Sequence, residues 1–324
     1  MRAHLFPMTL KDPGTVVTFH TLDDFHEHNL VSKMAAYDYV GTLCHLMDGC
    51  FTTKIPDPNA KSLMAAHIWQ QLCLEKWTGQ AYNLTAEFPH QMLNSLITFC
   101  PACPKDGFNM EPNWEKTPLL YRHVNQVLYG LNGNFHTGQY TKNTDPDDIT
   151  LKTINRIGYF PNQVEVEQYL NKTPKVQEVH KSTCNYLNVI NNQNKKKFKN
   201  IKYSGVVNMT CSHIIIHLLM NLKAGEGFGY MDYCLKHDGH DSHHISFCDI
   251  GLSYDCNCQY CGEWVEQPWI ELNLLSGSIL QMNSGHCMGV LMAHYTYWNW
   301  VKIMRMAMTL KLRYQKATQL FQEK

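Results

Sequence analysis

The chain has no excess of charge of either sign. Lysine plus arginine and aspartate plus glutamate number 28 each, so the formal charge is zero. The broad basic surplus with which a protein displaces counterions from duplex nucleic acid is therefore missing, and any grip on phosphate must be local. No apolar run of signal length follows Met1 and Arg2, which argues against secretion and for a nuclear or cytoplasmic protein. Val290 to Leu310, the most apolar late stretch, is broken by His294, Asn299, Lys302 and Arg305, too many polar groups for a bilayer span. No internal repeat is visible. What is present is 44% hydrophobic content over 324 residues, enough for two domains or one large one, and thirteen cysteines. In an intracellular chain of this length those cysteines point to buried thiols and a zinc site rather than a disulfide scaffold.

Residues 1 to 98 read as mostly helical. Thr21 and Asp24 resemble a capping box, after which Leu30, Met34, Tyr37 and Cys44 recur near helical spacing until Asp48-Gly49. A second helix is expected from Ala60 to Trp77, with Met64, Ile68 and Leu72 on its core face and Thr78-Gly79 as its end. Val127 to Leu131 reads as a strand that turns at Asn132-Gly133-Asn134-Phe135, and Asp145, Asp147 and Asp148 as a solvated acidic loop. One or two strands are expected from Val206 to Leu222, and a buried strand from Ile245 to Tyr254. Gly277 marks a turn. Ser284 to Phe321 reads as a long helical segment whose apolar side packs across the sheet, with Lys302, Arg305, Lys311, Arg313 and Lys316 on its polar side.

Four places carry candidate chemistry. Asp255, at the carboxyl end of a buried strand, is either a metal-binding carboxylate or the cap of a helix beginning near Cys258. Cys100 and Cys103 form a C-x-x-C whose prolines keep the loop extended, the spacing that lets two thiolates reach one tetrahedral zinc. Cys184 and Cys211 could complete that site, with His213 as an alternative ligand; the competing reading is free structural thiols. Lys195, Lys196, Lys197 and Lys199 form a cluster that either faces phosphate or is simply solvated. His237, His240, His243 and His244 read as a loop that binds metal only adventitiously, although a metal hydrolase built on them is conceivable.

Several short stretches, in order, resemble one family. LFPMTLKDPGTVVTF and LDDFHEHNLVSKMAAYDY are similar to the helical region associated with the Kyakuja, Dileera and Zisupton (KDZ) transposases of mushroom-forming fungi. FCPACPKDGFN, NGNF, KSTCN, GVVNMTCSH, MDY and YDCNCQY resemble the transposase core, and AHYTYWNWVKIMRMAMTLKLRYQKA its carboxyl-terminal helices. The resemblance implies an α/β mixed architecture. It divides into a helical associated region over 1–98, an incomplete ribonuclease-H-like core with a zinc-type insertion over 99–282, and a C-terminal helical segment over 283–324. It also implies a DNA substrate and acidic residues holding two Mg2+ ions for cutting and joining strands. The first acid would fall at Asn132, a neutral amide, and the second at Asp255. The segment bearing the last acid is missing between Leu275 and Met282, and the family's upstream cysteine cluster would fall before Met1. Gly285-His286-Cys287 only superficially echoes the family's Gly-His motif. The resemblance lends weight to Cys100, Cys103, Cys184 and Cys211 or His213 as a structural zinc site. The expected protein is thus a transposase relic that has lost Mg2+ and cleavage, or a domesticated zinc-stabilised module that binds nucleic acid or protein.

Overall fold

In a computed structural model the described residues are 4–9, 12–51, 57–82, 94–143, 148, 158–172, 200–223, 225, 228–236, 250–254 and 263–322. The elements run β1 Leu5–Pro7, β2 Val16–Thr18, α1 Phe19–Ser32, α2 Ala36–Met47, α3 Asn59–Trp77, β3 Val127–Asn134, β4 Gln139–Tyr140 and α4 Gln163–Lys172. They continue with β5 Ile201–Tyr203, β6 Gly205–Cys211, β7 Ile216–Leu222, α5 Phe228–Lys236, β8 Ile250–Tyr254, α6 Glu263–Leu272, α7 Ser276–Leu280, α8 Ser284–Met304 and α9 Met306–Gln322. This is a mixed helix and sheet protein, as expected.

The central sheet has the order β7-β6-β3-β8. β3, β6 and β7 form an antiparallel meander, while β8 lies parallel to β3 with Tyr254 opposite Leu131. Alternation in the strands gives the sheet two buried faces. Leu131, Val207, Met209 and Met220 face α4 and α5 through Val166, Tyr230 and Tyr233. Val206, Ile216 and Leu219 face Trp269 of α6 and Leu291 of α8, in a cluster that also takes Leu30 and Leu74 from the amino-terminal helices. Helices therefore cover both sides.

Gly130 sets how closely α6 approaches. A Cβ there would lie 2.2 Å from Val265 Cγ2 and 2.6 Å from Trp264 Cη2. Asn299 of α8 reaches the outer edge of β7, where its Oδ1 accepts from Ile216 N at 2.9 Å and its Nδ2 donates to Ile216 O at 2.9 Å and Tyr159 OH at 3.0 Å. One fully buried amide thus replaces a strand neighbour for that residue.

Several local expectations need correction. α1 is capped by Thr18, whose Oγ1 accepts from Thr21 N at 3.1 Å, so the cap falls three residues before the expected one. The helix through Leu30 to Cys44 is two helices, because Lys33 takes a left-handed conformation at φ 61°. On α3 the buried side chains are Ala65, Gln70 and Leu74, whereas Leu72 is exposed. β3 continues through Asn132 to Asn134, since both asparagines are buried and find partners, Asn132 at Glu266 of α6 and Asn134 at Asn273 just after it. Asp148 is a helix cap and not a solvated loop residue: its carboxylate accepts from Gly285 N at 2.7 Å and His286 N at 2.8 Å. Gly277 lies inside α7. The last helical segment breaks at Arg305; α8 packs on the sheet, and α9 joins the core through Met306 at its start while leaving Tyr314 74% and Phe321 86% exposed.

Asn299→Ala would leave the buried Ile216 N–H and C=O without partners and would remove one hydrogen bond from Tyr159 OH, which keeps that from Thr98 N at 3.2 Å. It should cost about 2–4 kcal/mol in urea unfolding, whereas Gly41→Ala, with open space around its Cβ, should be neutral or stabilising by a few tenths. Burial also governs acid stability. It depresses His26 from 6.5 to about 4, against a smaller opposing effect of Asp23, and holds buried His294 well below the ordinary imidazole value. Both bind protons more weakly folded than unfolded. Their contribution is complete above about pH 6.5 and is lost as pH falls toward 4. Thermal unfolding from pH 7 to 4 should follow that slope, and His26→Gln should flatten it.

Candidate metal centre

The loop after Phe99, its backbone restricted at Pro101 and Pro104, brings two sulfurs together. Asn109 fixes the loop: its Nδ2 donates to Pro101 O at 3.1 Å and Cys103 O at 2.8 Å, and its Oδ1 accepts from Lys105 N at 2.7 Å. The other half of the site is the β6–β7 turn. Cys211 N donates to Ile215 O at 3.0 Å and Ile214 N to Cys211 O at 2.8 Å, and Ile214 turns through φ 66°. This tight turn sends Cys211 and His213 to the same side.

Cys100, Cys103, Cys211 and His213 bring their ligand atoms within 4.8 Å of one another. His213 Nδ1 lies 3.6 Å from Cys100 Sγ, 3.6 Å from Cys103 Sγ and 3.9 Å from Cys211 Sγ. The sulfur–nitrogen edge of a tetrahedral Zn2+ site is about 3.5 Å, given bonds near 2.3 and 2.0–2.1 Å. The donor set and its spacing thus fit a metal such as zinc. The three cysteines are buried. Hydrogen bonds from Cys103 and Cys211 pull Cys100 well below the usual thiol range, Cys103 is pushed up by its bond to Cys100, and burial raises Cys211. Three thiolates this close would repel one another, and a divalent cation would permit all three at once.

Both Cys211 and His213 enter the cluster, which reaches four donors without Cys184. Cys184, Asp255, Lys195, Lys196, Lys197, Lys199 and the His237 to His244 run lie outside the described residues, as do Asp145 and Asp147. Asn132 is 8% exposed, and its Nδ2 donates to Glu266 Oε1 of α6 at 3.5 Å. Sequence reasoning passed over Glu266, Asn109 and Asn299. Among the described residues, the cysteine–histidine cluster is the one group of three or more metal-ligating side chains. The described surroundings of Asn132 accordingly hold no carboxylate triad for Mg2+. No described helix is long and apolar enough to cross a membrane.

Comparison with known proteins gives first a class: the chain is similar to transposases and to a region associated with them. The family model described as Kyakuja-Dileera-Zisupton transposase matches residues 125–264, and that described as a CxC2 like cysteine cluster associated with KDZ transposases matches residues 1–50. The chain is thus similar to the KDZ transposases over its central sheet and to their associated region over β1 to α2. Cys211 and His213 fall within the transposase match, whereas Cys100 and Cys103 precede it. No curated protein and no solved structure matches.

Purified under reductant, the protein should retain about one tightly held metal equivalent through the four-donor site. Cys103→Ser should release it and lower Tm by several degrees, while Cys184→Ser leaves the metal content unchanged.

Proposed function

We propose that this chain is a catalytically inactive descendant of a KDZ transposase, whose ribonuclease-H-like core survives as a zinc-stabilised scaffold. A mixed sheet with helices on both faces supports that core. The four converging Cys and His donors favour zinc, because thiolate and imidazole suit this ion and tetrahedral geometry closes the site without an open position for substrate.

The observation that carries the loss of cleavage is the Asn132–Glu266 contact. At the position of the family's first acid, a neutral amide donates to a carboxylate on α6. An aspartate there would repel Glu266 unless a cation lay between them. Two-metal phosphodiester chemistry requires several carboxylates to hold both ions beside the phosphate, and Asn132 supplies no charge. Glu266 adds one carboxylate, and Asp255, one residue past β8, would add another, short of the acidic complement that the family's mechanism implies.

The second reading, a domesticated nucleic-acid-binding module, is favoured by one feature. From residue 272 to residue 322 the sequence contains no Asp or Glu but carries Lys302, Arg305, Lys311, Arg313 and Lys316. Arg313 Nη1 donates to Ser212 O at 3.2 Å, so this acid-free helix is tied to the turn bearing the metal ligands. Such a stripe gives the local phosphate attraction that the whole-chain charge lacks.

The direct test is incubation of the zinc-loaded protein with DNA and Mg2+ or Mn2+. No cutting or joining is expected; cleavage abolished by Asp255→Ala would overturn the inactive reading. Asn132→Asp should lower stability by about 1–3 kcal/mol through like-charge contact, with partial rescue by millimolar Mg2+. For the second reading, affinity for duplex DNA should fall steeply with salt. Replacing Lys311, Arg313 and Lys316 by Gln should flatten that dependence; salt-independent binding would count against it.

A further inference from the structure

A second cluster of imidazoles lies where α1 and α3 meet α8. His67 Nδ1 of α3 and His286 Nδ1 of α8 are 3.1 Å apart, with ring planes inclined at 73°. Gly289 permits this approach: a Cβ there would come within 2.5 Å of His67 Nε2, so the back of the ring is wedged against α8 and its Nδ1 is turned to His286. His286 is held from its own side by the Asp148 carboxylate on its backbone N–H. The two rings line a cavity of about 50 Å3, together with His26, Asn29, Gln70 and Ser278.

Two of the residues that line the cavity carry unanswered polar atoms. His26 is 5% and Asn29 7% exposed, and His26 Nε2 and Asn29 Oδ1 have no hydrogen-bond partner among the described residues. Asn29 spends its Nδ2 on Met34 O at 2.9 Å, which leaves the oxygen directed elsewhere. Orphaned buried groups of this kind call for a ligand or ordered water, and the space exceeds what one water needs. A single N–H···N bond between the rings would account for the 3.1 Å distance but not for the two orphans.

We propose that His67 and His286 form a second metal site, separate from the cysteine cluster, for a transition ion of the Zn2+, Ni2+ or Cu2+ class. The 3.1 Å separation is close to the edge of about 3.3 Å between two imidazoles on one tetrahedral ion. Water held by Asn29 Oδ1 and His26 Nε2 completes the shell. No carboxylate lines the cavity, which disfavours the hard ions Ca2+ and Mg2+ and leaves borderline ions that accept neutral nitrogen. Burial keeps both rings neutral, the ligating form, with His67 lowered to about 3. The ion would clamp the amino-terminal helices to α8.

The full chain, first loaded at the cysteine cluster, is titrated with Cu2+ and examined by electron paramagnetic resonance. One additional equivalent with coupling to two imidazole nitrogens is expected, and a Zn2+ titration should raise Tm beyond the effect of the first equivalent. His67→Gln and His286→Gln should each weaken the added equivalent at least tenfold while retaining the first, and Cys100→Ser should do the reverse. A wild-type Cu2+ spectrum without nitrogen coupling overturns the proposal even if the variants fail to fold, as does equal uptake by wild type and both variants.

Discussion

The convergence of a knuckle loop and a strand turn on four donor atoms is the constraint around which the sheet face is arranged. Cys100 and His213 are 113 residues apart in sequence, and closing so long a loop costs chain entropy that packing alone must otherwise offset. Coordination would supply that closure, as metal binding supplies folding energy in small metal-held domains. Its effect spreads outward through ordinary hydrogen bonds. Asn109 holds the knuckle, and Ser212 N donates to Leu128 O at 2.9 Å, so the turn is fastened to the first strand of the sheet.

On the opposite face, α6 is held close by the absence of a side chain at Gly130, and this closeness makes the Asn132–Glu266 contact possible. The amide matches the carboxylate, donating where a second carboxylate would repel. The polar row continues along β6, where Asn208 lies opposite Asn132 and is fully buried without a partner for its amide among the described residues. These amides form a buried polar row in an otherwise apolar layer.

Much of the architecture was legible because strands and long helices announce themselves through periodicity: β6, β7 and α3 fall where expected, and the C-x-x-C belongs to the four-donor cluster. Other features depend on contacts invisible to local reading. Asn-Gly-Asn has turn chemistry, but its side chains find partners on α6 and at Asn273, more than 130 residues later, and the strand continues. Glu266 gave no signal, for an exposed helical glutamate is unremarkable until the strand beneath it is known. Lys33 broke a helix that spacing alone would have run on, and it then buried its ammonium 3.7 Å from Glu271 of α6. Whether His213 replaces Cys211 or joins it could be decided only by the tight turn between them.

The edge of β7 has a consequence for the crowded cell. Ile216 spends both outward groups on Asn299, and Leu219 N donates to Tyr159 O at 2.9 Å. A boundary strand answered in this way offers no free ladder to a stray extended segment, so this side of the sheet is shielded from templated polymerisation. That protection rests on a single carboxamide and one crossing peptide rather than on a further strand.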